Sequence, residues 1–327
     1  MRQLKEPEDV INCFKKAPIL MFPRVLAVFG CALFWLAAAG CAEQRQPPSR
    51  GVILHTSATT ASDLKGAFSQ LPDVTVQAVT QGGSSVTSLE DLQRGTTDIG
   101  IAMADVTYLA FAGQLDETPG PFDQLRGMAV LNLNTLHLIV GPMSPADSID
   151  DLRGSHVALG PVGSATALLA QMLLQAYGVD LSSVRGERLP YAATADQLVS
   201  GRLDAAFMTQ APPAGPVLTA TKGGARLVDI AGPRVEELRA RHPFLKRTLI
   251  PAHTYPNQLA AVHTVGVDLV LLCRADMDED VVYRLLEGYF ATRPGSVPPI
   301  DLERAPATPI PLHAGAARYY RQRELAR

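Results

Sequence analysis

Reactive and polyanion-binding centres find almost no raw material in this chain. Its basic residues form no block, and 29 Lys and Arg stand against 32 Asp and Glu, so the positive field that draws nucleic acid is missing. Of four cysteines, Cys13, Cys31 and Cys41 fall in the first 41 residues. Cys273 alone lies beyond them, so no disulfide framework can form there. It ends the apolar run Val267 to Cys273 and reads as a buried structural thiol rather than a nucleophile. The seven histidines, among them His137, His156, His253 and His263, show no metal-ligand spacing such as His-Glu-x-x-His. Ser164 lacks a Gly-x-Ser-x-Gly frame, and the GPVGSAT stretch around it lacks the Lys of a phosphate-binding loop. Hydrolytic, metal-dependent and nucleotide-dependent activities are therefore not expected, and neither a cofactor nor a metal is called for.

Apolar residues, in contrast, make up 47% of the 327 positions, enough to bury a large core and better suited to two lobes than to one. The first 41 residues form a segment of their own. Val25 to Ala39 is an apolar run preceded by Lys15, Lys16 and Arg24, which has the pattern of a secretory signal. It ends in Ala38, Ala39, Gly40 and Cys41, similar to a bacterial lipobox with Ala38 where Leu is commoner. Lipidation of Cys41, ordinary cleavage and a retained anchor are the three readings, and the first is adopted. Met21 is an alternative start, giving the compact n-region MFPR. Residues 1–41 hold five basic and three acidic residues, so the remainder carries a net charge of −5, and the single Trp35 leaves with them. Residues 42–50, polar and Pro-bearing, read as a tether.

From Gly51 onward, strand-like and helix-like runs alternate. Val52 to Leu54 and Val74 to Val79 read as strands around a short helix at Ala61 to Gln70. Val86 to Gln93 reads as a helix with Ser88 and Asp91 as a capping-box variant, and Ile99 to Met103 as the next strand. Leu136 to Val140 and Thr264 to Leu272 are strong apolar strands, and Glu279 to Phe290 and Gly315 to Leu325 read as the last helices. Such alternation implies an α/β fold with doubly wound mixed sheets.

One stretch organises the middle of the chain. Val157 to Leu159 is a short strand stopped by Gly160 and Pro161, and Leu168, Leu169, Met172, Leu173 and Ala176 give the following helix an apolar face. Ser164 or Thr166 can cap it and Gly178 can close it. The free N–H groups and dipole at its start suit a carboxylate or phosphate, although many such units hold no ligand. An internal echo adds a second half: Leu92-x-x-Gly95-x-x-Asp98-Ile-Gly-Ile101 has the spacing of Leu198-x-x-Gly201-x-x-Asp204-Ala-Ala-Phe207, 106 positions on. Two similar lobes with a small-molecule cleft between them explain the echo. The expected divisions are 1–41 leader, 42–50 tether, 51–140 with 251–327 as lobe 1, and 141–250 as lobe 2.

Five motifs in order give the chain a resemblance. They are the Gly-Gly-Ser turn in Gln81 to Ser85 with the LEDLQRGTTDIGIAMADVTYLAFAG block after it, GPVGSAT, Ala206 to Val217, Ile250 to Gln258 (IPAHTYPNQ), and PLHAGAARYYRQ from Pro311. Together they resemble the TAXI-class solute-binding subunits of TRAP transporters. Ser57 to Asp63 departs from that family's Gly-rich opening loop and aromatic pair, and His253 and Asn257 stand where the family has glycines.

The resemblance implies a two-lobed, type II periplasmic-binding-protein-like fold that captures a small organic acid or amino acid without reaction. It also implies delivery to membrane permease subunits; the periplasmic, lipid-anchored location is what the leader and its lipobox-like ending at Cys41 imply. A sensor or partner-binding lipoprotein of the same fold is the alternative. The residues here can support capture. Gly82, Gly83 and Ser84 in one turn, and Gly163, Ser164, Ala165 and Thr166 in the other, offer backbone N–H groups and hydroxyls to a carboxylate. Asp105 would accept from an amine or hydroxyl, or else would simply cap the helix after it, and Tyr108, Thr209 and Tyr255 would line the wall, Tyr255 alternatively being only a loop anchor between Thr254 and Pro256.

Overall fold

The computed structural model describes residues 50–55, 64, 66–68, 71, 74–79, 84–115, 120–292 and 303–325. The leader, Cys41, residues 42–49 of the tether, the Ser57 to Asp63 loop and the Gly82–Gly83 pair lie outside them. The chain divides into two compact units, Met1–Gln46 and Pro47–Arg327, and all described residues belong to the second. Among them no helix is long and apolar enough to cross a membrane.

Among the described residues, ten strands form one curled sheet in the order β2-β1-β3-β10-β4-β7-β5-β6, with β8 on β4 and β9 on β10. The first half is built from β1 (Arg50–His55), β2 (Val74–Val79) and β3 (Ile99–Met103), all parallel. The second half contains β5 (His156–Ala158), β6 (Arg185–Glu187) and β7 (Ala205–Gln210), again parallel. Two long antiparallel strands, β4 (Leu125–Val140) and β10 (Val262–Arg274), run through both halves. The early part of β4 lies on β10, and its last six residues lie on β7, with β8 (Arg226–Val228) on the opposite edge from β7. β10 begins on β9 (Lys246–Ile250) and ends on β3.

Helices cover both faces. One apolar cluster runs through both halves, taking Leu89 and Leu92 from α1 (Ser85–Arg94), Val106 and Ala110 from α2 (Ala104–Phe111), and Leu169 and Leu173 from α3 (Ala165–Ala176). It also takes Val235 and Leu238 from α6 (Pro233–Arg241). The opposite face of the second half packs on α4 (Tyr191–Val199) and α5 (Gly215–Lys222). That of the first half packs on α7 (Glu279–Ala291) and α8 (Ala314–Leu325), where the Phe290 and Tyr319 rings stack at 5.5 Å. Gly315 is what lets these last two helices touch, since a Cβ there would collide with the Glu279 carbonyl. Each half is thus doubly wound, and Cys273 is buried in the first with its thiol pushed up by desolvation.

Two expectations need correction. Ser88 does not cap α1: the helix begins a turn earlier because Ser84 accepts the Thr87 N–H at 3.2 Å, and Ser88 is buried within it against Gly100. β4 is three times as long as the run Leu136 to Val140 suggests, because pairing with β10 holds Gly127, Asn132 and Asn134 in strand despite their low propensity.

Candidate functional site: the turn-to-turn cleft

Ser84 and Gly163, one from each of the two stretches singled out in the sequence, meet. Gly163, at φ 67°, gives its carbonyl to the Val86 N–H at 3.4 Å, and a Cβ on it would lie 2.8 Å from Ser84 Oγ. Ser84 caps α1 from the first half. Ser164 caps α3 from the second, accepting the Ala167 N–H at 3.2 Å while donating to the Pro161 carbonyl at 2.7 Å. Two helix N-termini therefore face one another across the halves, each with its positive dipole end at the junction. In both places a serine at the N-cap accepts a first-turn N–H and fixes where the helix begins.

Beneath the turns lies a buried polar cluster. Asp105 is in the first turn of α2 and is fully buried, and among the described residues neither carboxylate oxygen has a hydrogen-bond partner. Desolvation pushes its pKa up to about 7, and nearby backbone N–H groups of Val106 and Asp105 itself offset only part of that. The capping alternative falls, because Met103 is the N-cap and α2 already includes Asp105. Thr166 is also buried, and its hydroxyl meets the Tyr191 hydroxyl at 2.5 Å. Tyr191, at the start of α4, further bonds to the backbone of Thr209, receiving its N–H at 3.4 Å and donating to its carbonyl at 3.5 Å. Burial raises the Tyr191 pKa, its bonds to Thr166 and Thr209 offset part of the rise, and the charge of Asp105 adds to it. Asp105, Thr166 and Thr209 are thus gathered around a tyrosine that the sequence reading missed. Its only local signal is the Leu-Pro-Tyr opening of a helix.

The other candidates are placed differently. Ala165 is buried in the first turn of α3. Tyr108 is half-buried and lies on Phe244 from the second half, with ring centroids 5.7 Å apart. Tyr255 is buried in the core of the second half, its hydroxyl accepting the Ala214 N–H at 2.9 Å and bonding His137 Nε2 at 2.9 Å. Its hydrogen bonds hold the loop after β9 in place and do not join it to the Asp105 cluster. His137 is itself buried, and desolvation lowers its pKa to about 4. Outside the junction, a cavity of ≈ 440 Å³ is lined by Val86 and Glu90 of α1, Val106 of α2, and Ser164 and Gln171 around α3, with Arg188 beside them.

The sequence model of the NMT1-like family matches residues 64–323. Among solved structures, that of the periplasmic binding protein BugD is 16% identical, with 77% of this chain and 85% of that one covered at a TM-score of 0.51. A second, described as a periplasmic transporter, is 14% identical, with 85% and 94% covered at a TM-score of 0.50. The fold is accordingly the two-lobed α/β fold of periplasmic binding proteins.

Proposed function

The chain belongs to the NMT1-like family, and from that premise we propose that it captures a small organic acid or amino acid between its lobes and presents it to a membrane transporter. The observation that carries this reading is the meeting of two capped helix N-termini from opposite halves, at Ser84 and at Gly163 to Ser164, over a buried polar cluster. Backbone N–H groups and hydroxyls at such a junction suit a carboxylate. Residues 51–140 with 251–327 would form one lobe and 141–250 the other, with β4 and β10 as the connections about which they open. No step of bond making or breaking is required.

The finer assignment is to the TAXI class, feeding a TRAP-type permease, and it rests on the five motifs in order. Cys41 would carry the lipid that holds the protein to the membrane facing the periplasm. A thermal-shift screen over organic acids and amino acids tests the binding reading. Ligand at about 100 times its dissociation constant adds about 2.7 kcal/mol to stability. A flat response to every compound at millimolar concentration would sink it.

A further inference from the structure

We propose that the deep end of the cleft seats a protonated nitrogen of the ligand, an ammonium or amidinium group, on the carboxylate of Asp105. This rests on the solute-binding reading above and narrows its ligand class. Asp105 stands just past the C-terminal end of β3, where ligands of open α/β sheets bind. A fully buried carboxylate with neither oxygen bonded is costly to keep charged unless a cation meets it.

The neighbouring groups point to the same ligand chemistry. Met103, Leu269 and Asn132 lie opposite one another across β3, β10 and β4. Asn134 Nδ2 reaches Met103 Sδ at 3.4 Å, so the two asparagines of β4 stand beside the strand end that leads into Asp105. Thr209 lies opposite Leu136, which shares a face of β4 with Asn132 and Asn134. Among the described residues, Asn132 Oδ1 and Thr209 Oγ1 are buried without a partner, as are both oxygens of Asp105. Carboxylate and amide oxygens only accept, and a hydroxyl can accept. A ligand group that brings N–H donors and positive charge satisfies all of them through charge-assisted bonds. A second carboxylate placed there would face like charge. Any acid group of the ligand belongs instead at the two helix N-termini above, which leaves the nitrogen for Asp105.

Calorimetric titration of the purified protein with matched pairs, each common amino acid against its 2-oxo acid, separates the two readings. The expected result is that a nitrogen-bearing member binds at least about tenfold tighter than its partner. Asp105→Asn, of the same shape and uncharged, should abolish that preference, bringing the two members of the pair to within about twofold of one another. Thr209→Val removes one acceptor and keeps the side-chain shape, so it should weaken the amine several-fold and guards against a folding defect in the first variant. Equal affinity within every pair, or equal loss of both members in Asp105→Asn, overturns the proposal and leaves solute binding standing. No heat and no thermal shift with any member overturns both.

Discussion

Asp98 and Asp204 make the same pair of bonds in the two halves of the sheet. Asp98 Oδ2 accepts the Ile53 N–H at 2.9 Å while its own N–H donates to the Ile53 carbonyl at 2.9 Å. Asp204 Oδ2 accepts the His156 N–H at 2.7 Å while its N–H donates to the His156 carbonyl at 2.8 Å. Each aspartate follows a left-handed glycine, Gly95 or Gly201, and extends a parallel ladder by one charge-assisted bond. The echo in the sequence is therefore a physical device used twice. Asp98→Ala and Asp204→Ala should each cost about 1–3 kcal/mol in urea denaturation. A loss too small to resolve in both would show that these bonds do not set the strand register.

Asp105 and His137 pull stability in opposite directions with pH. The folded chain holds the Asp105 proton up to about pH 7, whereas an unfolded aspartate releases it near pH 4. Stability from this group therefore falls as pH rises between those values. Folded His137 stays neutral down to about pH 4, while unfolded histidine takes a proton below about 6.5, so its contribution falls as pH drops through that window. Asp105→Asn should remove the first slope only. The stability of wild type relative to this variant should decline by up to about 1.4 kcal/mol per pH unit from pH 4 to 7. A difference that stays constant with pH would mean Asp105 is solvated or paired in solution.

His253 and Asn257 adopt φ of 63° and 61°, in the left-handed region that glycine favours, at the two places where the resembled family has glycine. His253→Gly should relieve strain and raise stability by about 1 kcal/mol, and Asn257→Gly by less, since asparagine tolerates that region better. A lower melting temperature for His253→Gly would show that its side chain contributes more than its backbone costs.

Gly163 has no room for a side chain against Ser84. Gly163→Ala should hold the halves apart, enlarging the radius of gyration in small-angle scattering and weakening ligand binding. An unchanged radius with unchanged affinity would show that the contact is incidental to closure.

Much of this arrangement was legible in the sequence. The alternating run Val74 to Val79 forms β2 over those residues, and the cap at Ser164 and the closing Gly178, at φ 68°, bound α3 as read. These are local signals, fixed by period and cap chemistry. β4 was legible only at its apolar end, since its asparagines and Gly127 become strand through non-local pairing. Asp105 stayed divided between cap and ligand group because both uses place an acidic residue near a helix start, and only the helix boundary separates them. Tyr191 carried no motif at all: its role comes from reaching Thr166 and Thr209 on two other elements. Tyr255 is divided in the sequence between wall and loop anchor, because its bonds to His137 and Ala214 come from segments far along the chain.

Hydrogen exchange on the protein with and without the tightest compound of the screen tests solute capture in the cleft most directly. We expect ligand to slow exchange most at the amides of Thr87 and Ala167, the first-turn N–H groups capped by Ser84 and Ser164, and at Val86, which bonds Gly163 across the halves. A compound that binds yet leaves these amides unchanged, with protection elsewhere, would contradict a site between the two turns.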